Sequence, residues 1–480
     1  MDNDISEFVG RMQQFIEEQN IRFVDVKYTD LFGRLYHVTL PVSRFGERLF
    51  SQGVGFDSSN IPGFLDVASG DMILVPDPET FFVDPFFDPP AVSCFATVMN
   101  ARTHKAFDGY PREILSRAVE YLKKSGIADR ALFLPEFEFY LFNDAVFRTT
   151  KRSSAYFFDS IEASWSDAEE RNHGYAILDG KGYHIAPPAD VHFKFRSKLV
   201  ELIESADIPV RYHHHEVGEA AQEEIEILPL DALSAADAVI LVKYFARMLA
   251  KDYGIFACFM PKPLYGAAGS GMHYHQILLK GDKPVFYDDS TGYPNLSRIA
   301  TNYICGLLTH GRALAALTNP TTNSFKRLVE GYEAPTRLFF GFANRCAAVR
   351  IPRYANLPNE KRFEYRPPDA TANPYLAIAG MIMAGVDGIE RDILPTEENM
   401  FGPINGSVDA LPEEKRAKIA SLPRNLLEAA DALVSDHSFL TAGEVFSEAV
   451  IEKIVEKEKK EHKELLLYPH PREMELYFDI

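Results

Sequence analysis

The sequence predicts an α+β protein with a small N-terminal unit and a larger unit after it. Three observations carry this. At 480 residues the chain is too long for one ordinary core. A helical repeat followed by a β-rich stretch opens it. Strand-like segments then alternate with helical ones through residues 130–390, without repeats or low-complexity tracts.

Ile5, Phe8, Val9, Met12, Phe15 and Ile16 recur at helical spacing before a stop at Asn20. IRFVDVKYTD and RLYHVTLP read as strands, and the small α+β unit ends near residue 105. A helix starts near Pro111, which suits a first turn, and stops at Gly126, which suits a C-terminal cap. The domains are therefore expected at 1–105 and 106–480. Further on, Thr396–Leu411, with Gly402, Pro403, Asn405 and Gly406, reads as an exposed loop, and Glu448–Leu467 as a charged helix with internal Glu and Lys pairs.

Charged residues make up 25% and hydrophobic ones 46%, as in soluble globular proteins, and a net charge of −19 argues against nucleic acid or anionic membrane as partner. The acidic start MDNDISEF lacks signal-peptide regions, and the longest apolar stretch, Tyr375–Val386, is too short to span a bilayer, so a cytoplasmic protein is expected. Cys94, Cys258, Cys305 and Cys346 lack metal-type spacing and read as core or near-core thiols.

The chemistry is carried by five glutamates and a histidine: Glu136 and Glu138 in PEFEF, Glu216 and Glu224 in HHHEVGEAAQEE, His273 in GSGMHYH, and Glu364 in RFEYR. In LFLPEFEFYLF the apolar residues fill both sides of a buried strand, so Glu136 and Glu138, two apart, share a face. His273 and His275 repeat the pattern, as do Arg362, Glu364 and Arg366. Two carboxylates about 5 Å apart repel by roughly 3 kcal/mol at an effective dielectric near 20. Converging glutamates therefore need cations among them, and oxygen ligands with one imidazole suit two Mg²⁺ or Mn²⁺ ions. A single ExE pair alone reads better as a solvated strand face; the buried flanks of Glu136 and Glu138 weigh against that. No GxxxxGK[ST] loop is present, whereas Arg345, Arg350, Arg362 and Arg366 fall within 22 residues and offer planar donors to phosphoryl oxygens. A lone arginine is as often in an ordinary ion pair. Metals and arginines together point to phosphoryl transfer.

These frames resemble type I glutamine synthetase over nearly the whole chain, from GFDSSNIPGF and SGDMILVPDPETFFVDPFF through PEFEFYLF, HHHEV, MPKPLYGAAGSGMHYH, NPTTNSFKRLVEGYEAP, NRCAAVRIP and RFEYRPPD to PHPREMELYF. The resemblance implies an N-terminal β-grasp domain and a catalytic domain with a curved antiparallel sheet wrapped by helices. It implies ATP-dependent ligation of ammonia to the γ-carboxylate of glutamate through γ-glutamyl phosphate, in a cytoplasmic dodecamer of two hexameric rings. On that resemblance Glu138, Glu216 and Glu224 hold one metal, and Glu136, His273 and Glu364 the second. Arg327 and Gly269 serve glutamate. Arg345, Arg350 and Arg366 line the phosphoryl region, while His275 and Arg362 lie on the nucleotide side. Glu333 sits on a flap that closes over the intermediate, and Asp57 binds ammonium at the neighbouring subunit's site.

Departures from the family pattern are Ser58 and Asn60 beside Asp57, Ala268 where an asparagine usually touches the amino acid, and Asn359 where a nucleotide-side lysine is common. Ser407–Pro412 lacks the tyrosine adenylylated in some members, so that regulation is not expected. A γ-glutamyl ligase using an organic amine or polyamine is the alternative; Asp57 and Glu333 favour ammonia. A binuclear hydrolase built on His273 and His275 would need more histidine and aspartate ligands, and a non-catalytic homologue would show an eroded site.

Overall fold

A computed structural model describes residues 2–64, 70–166, 174–292 and 294–478. The N-terminal unit begins with helix α1 (Asp2–Glu18), ended by Asn20 at a φ of 52°. Among the described residues six strands follow, β1 (Phe23–Thr29), β2 (Leu35–Pro41), β3 (Val54–Asp57), β4 (Asp71–Pro76), β5 (Phe82–Asp84) and β6 (Ala91–Asn100), with the short helix α2 (Glu47–Gln52) before β3. They order β2-β1-β6-β4-β3, with β5 also on β6 and a parallel β1–β6 pair. The apolar stripe of α1 buries Val9 and Ile16 in the core that holds Val24, Val26, Cys94 and Val98 from β1 and β6. This is the expected β-grasp arrangement.

Helix α3 (Pro111–Lys124) opens the large unit and joins the two. Its buried Arg112 reaches Asp77 at 2.7 Å and Asp237 at 3.0 Å, and Tyr375 Oη donates to Asp237 at 2.5 Å. A charge buried at the junction is thereby paired on both sides.

The large sheet is built from β7 (Arg130–Phe142), β10 (Val210–His215), β11 (Gln222–Ile227), β14 (Met272–Lys280), β16 (Arg337–Phe342), β17 (Ala347–Ile351) and β18 (Phe363–Tyr365). Between these lie an exposed hairpin of β8 (Asp144–Thr150) and β9 (Ser153–Asp159), and three short strands on the sheet, β12 (Leu230–Asp231), β13 (Phe256–Cys258) and β15 (Lys283–Pro284). The order is β10-β11-β7-β14-β18-β17-β16. Pairing is antiparallel except between β16 and β17, which run parallel.

One face of the sheet is apolar: Phe137, Phe139, Ile225, Ile227, Met272, Tyr274, Val349 and Tyr365 enter the main core. Helices α4 (Phe193–Glu204), α5 (Ala232–Asp252), α6 (Arg298–Thr309), α7 (Gly311–Thr318), the short turn α8 (Ser324–Arg327) and α9 (Pro374–Glu390) surround that core. The apolar stretch Tyr375–Val386 is the buried middle of α9, and no helix among the described residues is long and apolar enough to cross a membrane.

Two readings need correcting. Cys346 is exposed, because it lies in the turn between β16 and β17. The segment Thr396–Leu411 is not exposed throughout: Phe401 and Ile404 are buried, with backbone hydrogen bonds between Phe401, Ile404 and Phe340 of β16. The charged tail forms a helix at Glu448–Leu465. It crosses both units: Lys453 Nζ donates to the carbonyls of Gly63 and Phe64, and Lys457 Nζ to that of Pro320.

Candidate active site

Strand register assembles the site. Glu224 pairs with Glu138 and Glu226 with Glu136 across β11–β7; His273 faces Glu136 across β7–β14; His275 faces Glu364 across β14–β18; and Glu364 faces Arg350 across β18–β17. Side chains alternate along a strand, so residues opposite and two apart share a face. Five adjacent strands thus put their polar positions on the face opposite the core.

The contacts are short. Glu136 lies 2.7 Å from His275 Nε2 and 3.2 Å from His273 Nδ1, and the same His273 nitrogen is 3.2 Å from Glu364. Arg350 donates to Glu364 at 2.6 Å, and Arg366 donates to its other oxygen. Burial opposes ionisation of Glu136, but the charge of His275 and the bonds from both histidines outweigh it and hold the carboxyl well below the usual range. Glu364 follows the same pattern, with Arg366 foremost against burial.

Toward β10 the balance reverses. Glu216, just past the end of β10, has its carboxyl pushed up to about 9 by burial and then by Glu224 and Glu138. Glu224 is raised well above its ordinary value by burial and then by Glu136 and Glu138. Among the described residues, one buried oxygen each of Glu216 and Glu226 has no hydrogen-bond partner. Carboxylates that repel one another and leave lone pairs unused are what divalent cations satisfy. Among the described residues, three sets bring their ligand atoms within 4.8 Å of one another: Glu136, His273 and Glu364; His214, Glu216 and Glu224; and Glu136, Glu226 and His275. The donor set fits the two expected ions.

Sequence reasoning missed His214 and Glu226. Glu226 stands two residues beyond Glu224 in QEEIEI, and that alternation was a usable signal; nothing distinguishes the middle histidine of HHH locally. In the tight set His214 takes the place expected for Glu138, whose carboxylate instead accepts from Gly271 N–H at 2.7 Å. A Cβ on Gly271 would come within 2.6 Å of Arg327 Nη2 and His273 Nε2, so only glycine permits this approach.

Beside the glutamates a cavity of about 420 Å³ is lined by Glu138, Tyr183, Glu216, Ala268, Gly269, His273, Arg327, Tyr332, Glu333, Arg345 and Arg366. Arg327 is buried, and its guanidinium donates to the carbonyls of Pro367, Pro368 and Arg366 and lies 3.2 Å from His273 Nε2. At the rim Arg345 Nη1 is 3.2 Å from Glu333, whose backbone has a φ of 54°, and Arg366 Nε donates to the carbonyl of Arg345. Arg362 lies outside the cavity, its guanidinium 5.4 Å from the Tyr354 ring. Neighbouring Asn359 falls in a short helical turn.

Asp57 is elsewhere. It ends β3 at the edge of the N-terminal sheet, exposed, with its carboxyl held below the ordinary range first by the Ser59 N–H. Ser58 is buried and Asn60 exposed beside it. Among the described residues, Asp57 is not part of the cavity lining, and its carboxylate accepts instead from the Ser59 N–H.

Fold and site together define an enzyme with a cation-receptive, arginine-rimmed cleft on one face of a curled sheet. The chain belongs to the glutamine synthetase family: residues 20–101 match the glutamine synthetase β-grasp domain and residues 108–477 the glutamine synthetase catalytic domain. It is 41% identical over 465 residues to a glutamine synthetase of Aquifex aeolicus, covering 97% of each chain. The glutamine synthetase of Plasmodium falciparum superposes with a TM-score of 0.87 at 25% identity, over 98% of each chain. A GmaS–ADP complex superposes with a TM-score of 0.78 at 25% identity, over 97% of this chain and 99% of that one.

Proposed function

We propose that this enzyme ligates ammonia to the γ-carboxylate of glutamate, with ATP consumed and γ-glutamyl phosphate as intermediate, releasing glutamine, ADP and phosphate. The observation that carries the reading is the continuity of the glutamate and histidine row with the cavity that holds Arg327, within a chain 41% identical to a glutamine synthetase over 97% of its length.

In this reading Arg327 and the loop at Gly269 orient glutamate, with the γ-carboxylate directed toward Arg366. Arg345, Arg350 and Arg366 face the transferring phosphoryl group, and His275 and Arg362 the rest of the nucleotide. Mg²⁺ or Mn²⁺ held by Glu136, His273 and Glu364, and by Glu138, Glu216 and Glu224, would supply positive charge against the phosphoryl oxygens. Forming an acyl phosphate gives the carboxylate the leaving group it lacks. Asp57 from a neighbouring copy holds ammonium, and Glu333 accepts a proton as nitrogen attacks the acyl carbon and phosphate departs. Because Asp57 lies outside its own chain's cavity, a ring of copies completes each site, and two hexameric rings are the assembly proposed. The domain boundary is placed near residue 105, between β6 and α3, and an ATP-consuming reaction suits the cytoplasm.

The test is product formation with purified protein, glutamate, ATP and Mg²⁺ or Mn²⁺, comparing ammonium with small amines and polyamines. Glutamine as the preferred product supports the reading and shows Ala268 to be tolerated. Preference for an amine moves the enzyme to the γ-glutamyl ligases, and no turnover with any nucleophile rejects both.

A further inference from the structure

One wall of the cavity is the segment Gly331–Ala334. Gly331 at a φ of 99° and Glu333 at 54° bracket Tyr332 with left-handed backbone, a turn that presents its ring. Lys262 meets that ring with its ammonium 3.8 Å from the centroid. The same Nζ donates to the carbonyl of Ala267, next to Ala268 of the cavity lining. Asn323 grips the Lys262 backbone at both ends, accepting from its N–H at 2.8 Å and donating to its carbonyl at 3.0 Å, and Asn323 immediately precedes α8 with Arg327.

Lys262 makes no ion pair with a carboxylate among the described residues. Burial pushes its pKa down, so the π face and the carbonyl are what the charged form has instead of water. The other tie of the segment, Arg345 to Glu333, joins side chains 54% and 65% exposed, where an ion pair holds little. The Lys262–Tyr332 contact is the better sheltered of the two.

We infer that Lys262 is a positioning residue: it latches the Gly331–Ala334 segment over the cavity through the Tyr332 ring and ties that closure to the loop beside the amino acid. This rests on the glutamine-forming reaction proposed above. With the latch released, water attacks the acyl carbon of γ-glutamyl phosphate, the bond from carbon to the phosphate oxygen breaks, and glutamate and phosphate return with ATP spent and no glutamine made.

The experiment follows phosphate and glutamine separately at limiting ammonium in the full-length protein. Lys262→Met is expected to raise phosphate released without glutamine about tenfold, and to raise KM for ammonium more than it lowers kcat. Lys262→Arg, which keeps a cation able to stack on a ring, restores coupling. Tyr332→Leu reproduces the leak, Tyr332→Phe does not, and the Lys262→Met, Tyr332→Leu pair leaks no more than either alone. Coupled turnover in Lys262→Met, or leaks that add in the double variant, would overturn the latch while leaving the glutamine synthetase reading intact. Unmodified protein that makes no glutamine would reject that reading, and the latch with it.

Discussion

Glu136 lies 2.7 Å from His275, two residues along β14 from its register partner His273. One carboxylate is therefore shared by two imidazoles of a single strand, and its position is set from both sides. Glu136→Gln keeps the shape and removes the charge. The folded variant is expected to lose at least about 100-fold in kcat and to bind Mn²⁺ more weakly, read by steady-state assay and calorimetric titration. Near-normal kcat would remove Glu136 from the phosphoryl-transfer machinery.

Arg327, proposed above to orient glutamate, also donates to three backbone carbonyls. Arg327→Met is expected to raise KM for glutamate at least about tenfold and to lower stability by about 1–3 kcal/mol, from the buried acceptors left without donors. Glutamate saturation and urea denaturation measure the two effects separately. A KM change with unaltered stability would mean that water replaces the guanidinium.

His310 packs between Asp387 and Asp436, at 2.8 Å from each. Burial lowers its pKa, yet the hydrogen bonds it donates to the two carboxylates prevail and raise it above 6.5. A raised folded-state value contributes stability in full below the unfolded value, and the contribution is lost as pH rises through the folded one. His310→Gln is therefore expected to destabilise by about 1–2 kcal/mol below about pH 6.5 and by less in alkali, where the imidazolium is already lost. Melts across pH test this, and a pH-independent difference would contradict it.

Glu458 presents the opposite case. It is fully buried in the Glu448–Leu465 helix, both its oxygens lack a hydrogen-bond partner among the described residues, and burial pushes its carboxyl well above 4.5. Its contribution is retained at acid pH and lost as pH rises, because the folded state holds the proton longer. Glu458→Met is expected to stabilise by about 1–3 kcal/mol at neutral pH, and by less toward pH 4. Denaturation at both pH values decides it; destabilisation would indicate a partner that this chain gains on assembly.

The legible parts of the site were those with a local period. Glu136 with Glu138, His273 with His275, and Glu364 between two arginines each repeat every second residue, and each lies on or beside a strand of the large sheet. Asn20 and Gly126 marked helix ends correctly, because left-handed backbone there is a property of the residue itself. The parallel pairs β1–β6 and β16–β17 left no such trace, since a strand's neighbour is chosen by the whole topology. His214 was hidden for a related reason: its role depends on Glu216 and Glu224 converging upon it, and its own flanking residues are ambiguous. The burial of Phe401 and Ile404 escaped notice because glycine and proline signal a turn without saying what it turns against.

Because the polar row is spaced by hydrogen-bonded pairing, the chain tolerates changes of length very unevenly. A residue added at the Lys151–Arg152 turn of the exposed hairpin moves nothing in the row. Removal of Phe137 from β7, between Glu136 and Glu138, turns part of that strand over and breaks the alignment of Glu138 with Glu224 against that of Glu136 with His273. The sheet is in effect a ruler, graduated at about 4.8 Å per strand. Descendants of this gene are free to redecorate its marks one side chain at a time, but insertions and deletions are confined to the connections.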